Sequence, residues 1–368
     1  MSPTSISGGY HFGYNRFYCT LGGLMSNNTL VNNKETVDNK RKIVKGKKKK
    51  GKLKSLLGFL IFEIVFLSVT TPLLIFYGPF DNIKGTVTGS LWNSYTLKGV
   101  TRAFLSDAAI ARILGDGYAI SSVETENIKM LKFGINHTDE IELFDVSSSK
   151  FQGKMLVIKD PTRIKVGYSA QIPRAGETTS SIAKRNGAIA AINGGGFVDY
   201  KWAGTGGKPV GILMSNGKYI SGELKDKDKK QEVIAFTEDG MLIVGKHSQN
   251  ELKKYNVKEA INFGPPLVVN GKPTIKKGDG GGGISPRTVI GQKADGSVMF
   301  LVVDGRTIKS VGATYKEVQD IMLSYGAENA ANLDGGSSTT MYYNGKVINT
   351  PSDALGERAV PSVYMVMP

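Results

Sequence analysis

The sequence holds one cysteine in 368 residues, Cys19, and three histidines, His11, His137 and His247. Everything beyond residue 19 therefore lacks a disulfide framework, a zinc cluster and a thiolate nucleophile. No histidine falls near a glycine-serine turn in sequence and no nucleophile elbow is present, which excludes a serine-hydrolase arrangement. Fixed-period repeats are also missing, so solenoids and propellers drop out. Acidic residues are few against basic ones, giving a net charge of +15, but the imbalance is local. Residues 1–54 hold twelve Lys/Arg and two Asp/Glu, leaving +5 for the remaining 314 residues. A basic tail of this kind argues against a nucleic-acid-binding fold, so no nucleic-acid partner is expected. What is present, 40% hydrophobic and 9% aromatic residues, suffices for a sizeable core.

Long apolar runs are limited to one. Residues 1–39 are rich in Gly, Ser, Asn and Thr without periodicity, and Lys40 to Lys54 is polybasic. We read residues 1–54 as a disordered basic cytoplasmic tail. Residues 55–77 form a 23-residue apolar segment, against the roughly 20 that a helix needs to cross a bilayer. Lysines on its amino side predict a single-pass protein of the cell membrane, with the amino terminus cytoplasmic and the rest extracellular. A cleaved signal peptide is the competing reading, but no clean small-x-small site follows the span. Glu63 lies inside the span, where a carboxyl is either protonated or faces a membrane partner. Residues 78–126 read as a stalk or linker with one helix, Arg102 to Leu114, and residues 127–368 as the functional domain.

In that domain Asn216-Gly217, Asp239-Gly240, Asn270-Gly271, Asp295-Gly296 and Asn344-Gly345 each separate apolar or alternating runs, as hairpin turns do. They predict an α+β fold, mixed but largely antiparallel, with a βαβ unit and a few helices, preceded by a single transmembrane helix. The βαβ unit begins with a buried strand, Val298 to Val303. A capping box, Thr314 to Glu317, opens a helix with Val318, Ile321, Met322 and Tyr325 on one face. A second strand, Ala330 to Leu333, follows. Parallel strands bring Asp304 and Asp334 to the same carboxyl edge, where open α/β sheets bind ligands. Upstream, Gly176 to Ser181 supplies cap residues for a helix ending near Asn186-Gly187, and the strand Ala188 to Ile192 runs into Asn193-Gly194-Gly195-Gly196-Phe197.

Four motifs in order, Asn193 to Phe197, Pro286-Arg287-Thr288-Val289-Ile290-Gly291, Asp304-Gly305-Arg306 and Leu333 to Met341, resemble the phosphodiester glycosidase family, whose bacterial members are often labelled exopolysaccharide biosynthesis proteins. The resemblance covers about Asn127 to Pro368. It implies a glycosidase, a hydrolase that frees a sugar from a sugar-1-phosphodiester.

The residues fit that chemistry. Asp334 is the first choice for nucleophile or base, with Asp304 as its partner, since glycoside cleavage commonly uses two carboxyl groups. Asn193 stands at a strand end and joins them as a catalytic candidate. Gly194, Gly195, Gly335 and Gly336 let backbone approach the ligand, and exposed N–H groups there form an anion nest. Ser337 and Ser338 are expected on ligand oxygens, Arg287 on the phosphate through its planar fork, and Arg306 in support. Trp202 is the expected sugar-stacking platform, and Glu177, which matches a glutamate in similar bacterial sequences, is a further candidate. Either aspartate is also of the type that holds calcium or magnesium, so a divalent cation is a possible cofactor. The rival function is a non-catalytic protein that binds an anionic glycan or assists exopolysaccharide assembly. The Asp279 to Gly283 run reads as a flexible flap.

Overall fold

In the computed structural model, which describes residues 50–92, 97–117, 133–134, 137–198 and 205–368, the helices are α1 (Lys50–Tyr77), α2 (Asp81–Trp92), α3 (Lys98–Phe104), α4 (Asp107–Gly117), α5 (Thr179–Arg185), α6 (Gln249–Lys254) and α7 (Tyr315–Ser324). The tail before Lys50, residues 118–126 of the expected stalk, and Trp202 lie outside the described residues. From Leu60 to Pro368 the chain forms one unit.

The strand Val298–Val303 has no polar residue because both of its faces are buried. Val298, Phe300 and Val302 point into a central core; Met299, Leu301 and Val303 point into a second core beneath α7. The other two large sheets repeat this plan. A seven-stranded sheet runs Ile141–Asp145, Gly153–Ile158, Val298–Val303, Arg287–Lys293, Ala327–Asn332, Pro266–Val269, Lys272–Pro273. One five-stranded sheet runs Lys218–Ser221, Leu213–Ser215, Val257–Ile261, Gln231–Thr237, Leu242–His247. Another runs Lys346–Val347, Met341–Tyr343, Ala190–Asn193, Ser362–Val366, Ile164–Tyr168.

Inner faces of all three sheets meet in the central core, where Ile290 and Phe300 join Ile234 and Ile261 and also Ile192 and Tyr364. Outer faces are covered by helices: α7 through Val318 and Met322, α6 through Leu252, and α5 through Ile182 and Ala183. Each such side chain contributes about 1.5–3 kcal/mol on burial. The Tyr364 hydroxyl, fully buried, donates to the Ile234 carbonyl at 2.6 Å and so ties one five-stranded sheet to the other.

Local chemistry sets the connections. All five predicted dipeptides turn antiparallel pairs. In the three Asn-Gly turns both residues have positive φ, as in Asn216 (50°) and Gly217 (74°), which suits the twist of hairpin strands. The Thr314–Glu317 capping box opens α7 with both reciprocal bonds made. Arg287–Lys293 pairs antiparallel with both Val298–Val303 and Ala327–Asn332, so the last two are parallel, with α7 crossing between them and one strand interposed.

Two expectations change. Where the sequence suggested a stalk with one helix, α2, α3 and α4 pack together, with Leu105, Ile110 and Leu114 buried beside Phe76 and flanked by Val87 and Leu91. The Asp279–Gly283 run is not an exposed flap, since Gly280 to Gly283 are buried. The apolar helix itself is as expected: Lys54–Tyr77 is 24 residues long and holds an 18-residue stretch with a mean hydropathy of 2.3, enough by length and composition to cross a membrane.

Candidate active site

Three loops distant in sequence are laced together by Asn193. Its side chain is buried at a strand end; Nδ2 donates to the Asp334 carbonyl at 2.5 Å, while Oδ1 accepts from Thr288 Oγ1 at 2.7 Å and from the Thr340 amide at 3.1 Å. The Asp334 amide donates to the Gly194 carbonyl at 3.1 Å, and the Gly336 amide to that of Pro286 at 2.9 Å. Gly335 passes so close to the neighbouring loop that a Cβ there would stand 2.7 Å from the Pro286 oxygen and 3.8 Å from the Arg287 Cα. The Asn193, Arg287 and Asp334 motifs thus form one structure.

Beside this junction lies a cavity of about 790 Å³, lined by Asp334, Gly335, Gly336, Ser337, Ser338, Arg287, Arg306, Arg358, Glu232, Asn332, Phe197 and Tyr315 among others. That volume suits a phosphosugar-sized ligand. Arg287 is buried and fixed from several sides: Nε donates to the Ala313 carbonyl at 2.9 Å, Nη2 to those of Gly282 (2.9 Å) and Gly283 (2.6 Å), and the guanidinium stacks 4.0 Å over the Tyr315 ring. Arg306, in the left-handed region at φ 62°, brings its guanidinium against Gly336, where a Cβ would lie 3.0 Å from Nη2. Although Arg306 as a residue is exposed, its charged end is crowded. Burial lowers its pKa, and the charges of Arg287 and Arg358 lower it further. Arg358 in turn lies 4.9 Å over the Phe197 ring. Three guanidinium groups at one cavity make a strong anion site.

Other predicted residues are placed elsewhere. Asp304 does leave its strand at the same sheet edge as Asp334, but its carboxylate is turned to the 349–350 turn, accepting from Asn349 Nδ2 at 3.0 Å and the Thr350 amide at 3.0 Å. Burial raises its pKa, opposed by those bonds and by Lys154, and Asp304 is not in the cavity wall. Asn193, Gly194 and Gly195 support the wall from behind, and a Cβ on Gly195 would run into Ile261. Glu177 accepts from the Ala170 amide at 2.9 Å and pairs with Arg185 at 2.8 Å, away from the cavity. Among the described residues no cluster of three or more His, Cys, Asp or Glu gathers as a metal site.

Of the wall residues that sequence reasoning missed, four bear most on the chemistry. Glu232, second in the strand Gln231–Thr237, has its Oε2 buried without a hydrogen-bond partner among the described residues. Burial raises its pKa, with Lys246 opposing. Asn332 donates to the Leu333 carbonyl at 2.7 Å and that of Gly264 at 3.2 Å, leaving a buried Oδ1 in the cavity wall unpartnered among the described residues. Arg358 and Phe197 complete the set. Glu232 follows the charged run Lys225 to Lys230, which reads as a surface loop and hides it; Asn332 flanks one motif and Phe197 closes another, so both were within reach.

Residues 186–367 match the phosphodiester glycosidase family. The SPbeta prophage-derived uncharacterized protein YomE of Bacillus subtilis (strain 168) is 33% identical over 211 residues, 55% of this chain and 30% of that protein. The N-acetylglucosamine-1-phosphodiester alpha-N-acetylglucosaminidase of Bos taurus is 29% identical over 195 residues, 48% of this chain and 35% of the enzyme. The chain thus spans about a third of the length of each of these relatives. The zebrafish N-acetylglucosamine-1-phosphodiester alpha-N-acetylglucosaminidase catalytic domain superposes with a TM-score of 0.54 at 22% identity, covering 64% of this chain and 87% of that one, a likeness of fold. With four motifs in order, laced together around one cavity, and a match that contains all four, this chain belongs to the phosphodiester glycosidase family.

Proposed function

We propose that this protein is a membrane-anchored, extracytoplasmic hydrolase that cleaves a sugar from a sugar-1-phosphodiester in cell-surface glycan metabolism. The observation that carries the reading is the meeting of Arg287, Arg306 and Arg358 with Asp334 and Glu232 at one cavity. The arginines hold the phosphate oxygens and stabilise the charge that grows on the leaving group as the bond between the anomeric carbon and the phosphate oxygen breaks. A phosphomonoester departs, and the oxygen of water completes the sugar. Asp334 serves as nucleophile or base at the anomeric carbon. Glu232, whose burial favours the protonated form, is the second carboxyl in place of Asp304: it gives its proton to the departing phosphate oxygen and is restored by the proton that water gives up. Asp304 and Asn193 position the loops, and Ser337, Ser338, Asn332 and Phe197 face the sugar. The apolar helix α1, with lysines on its amino side, supports the anchored topology.

The test incubates the full-length chain in detergent with alkyl phosphodiesters of hexosamine 1-phosphates and measures free reducing sugar. Turnover is expected, with a fall of about 10²–10⁴ for Asp334→Asn, the range for loss of a general acid or base. If wild type binds an anionic glycan but releases no sugar, and the binding survives Asp334→Asn, the protein is a glycan-binding or assembly factor and the enzymatic reading is wrong.

A further inference from the structure

Helix α2, which follows the apolar helix, rests on the glycine loop with backbone against backbone. A Cβ added at Gly89 would stand 2.8 Å from the Gly281 carbonyl oxygen and 2.9 Å from the Gly283 amide nitrogen. One added at Gly283 would strike the Ser90 amide nitrogen. Such an approach is open to glycine alone, because the nearest atom on each side is backbone, which has no rotamer by which to give way. Ser90 seals the contact: its Oγ accepts from the Ile284 amide at 2.9 Å and donates to the Thr86 carbonyl at 2.8 Å.

The other side of the same loop faces the cavity. The carbonyls of Gly282 and Gly283 are those that take the two Nη2 bonds of Arg287. One thickness of backbone therefore separates α2 from the guanidinium at the cavity. Helix α2 is held in turn, since Val87, Leu91 and Trp92 pack on the small core of Phe76, Leu105, Ile110 and Leu114.

We infer that α2 is a working part of the phosphate site: through Gly89 and Ser90, as positioning residues, it sets the glycine loop at the height from which Gly282 and Gly283 aim Arg287 into the cavity. The segment next to the apolar helix is thereby coupled to substrate affinity. The inference rests on the reading of the cavity as a phosphate site.

The experiment uses the full-length chain in detergent and two readouts, calorimetric titration with inorganic phosphate and steady-state kinetics on a sugar-1-phosphodiester. Gly89→Val should weaken phosphate binding about tenfold, the order of one charge-assisted hydrogen bond, and raise KM by a similar factor while kcat stays near wild type. Gly85→Val is the matched control, since it adds the same side chain to the same helix at a position with nothing within 4 Å, and should change neither. Ser90→Ala should act in the same direction as Gly89→Val, with Ser90→Thr restoring affinity because it returns the acceptor for Ile284. This pair decides the matter if Gly89→Val does not fold. Folded Gly89→Val and Ser90→Ala proteins that bind phosphate as wild type does would overturn the inference alone. A wild type that binds no phosphate and hydrolyses no phosphodiester would overturn the functional reading, and the inference with it.

Discussion

Replacing Arg287 by lysine keeps the charge and removes the fork. The native guanidinium donates to three main-chain carbonyls, those of Ala313, Gly282 and Gly283, and stacks on Tyr315. An ammonium has a single donor atom and cannot reach carbonyls on both sides of the site, so at least one acceptor is stranded in a buried place. Hydrogen bonds to charged groups contribute about 1.5–3 kcal/mol each, and a desolvated cation–π contact about 2 kcal/mol. Loss of one to two bonds with part of the stack comes to about 3–5 kcal/mol. Total stability of a domain is about 5–15 kcal/mol, so the variant folds but is weakened. At about 2 °C per kcal/mol for a unit of this size, Tm should fall by roughly 6–10 °C. Differential scanning calorimetry of the full-length protein in detergent measures it, alongside phosphate titration, where affinity should fall at least tenfold. A Tm within 2 °C of wild type would refute the assignment of Arg287 as a buried keystone, whatever the kinetics.

Arg306→Gln should separate binding from stability: phosphate affinity falls about tenfold or more, while Tm holds or rises, because burial, and then the charges of Arg287 and Arg358, already disfavour the Arg306 charge. A Tm loss of the size expected for Arg287→Lys would mean a structural role instead. For Glu232 the sign follows from its raised pKa. The wild type has the favourable contribution of the protonated carboxyl at acid pH and loses it as pH rises from the ordinary glutamate range through the raised folded value. Glu232→Gln should therefore match wild-type stability near pH 4, exceed it at pH 7 to 8, and lose activity; a Tm difference that does not change with pH contradicts this. Protease added to intact cells should remove the chain beyond Tyr77 and leave an amino-terminal tag intact, whereas protection of the whole chain would reverse the topology.

Much of the chain was legible because the signals are short-range. Three Asn-Gly turns, two Asp-Gly turns and the Thr314–Glu317 box act within a few residues, and the run Val298–Val303 declares a strand buried on both faces by lacking any polar residue. The apolar helix and the order of the four motifs are likewise properties of the chain itself. Sheet-edge reasoning brought Asp304 and Asp334 to one rim. Which way each carboxyl then turns depends on partners far away in sequence. Asn349 and Thr350 take Asp304 out of the cavity. Glu232 and Arg358 enter the wall from segments with no motif of their own, and Gly89 meets Gly281 only because two separate backbones pack without side chains between them. Periodicity, caps and turn residues are local preferences of the backbone, so the sequence alone determined the elements and their order. The direction of a side chain at a strand end is decided by non-local packing and hydrogen bonding, and those exist only once the three sheets have closed on their common core.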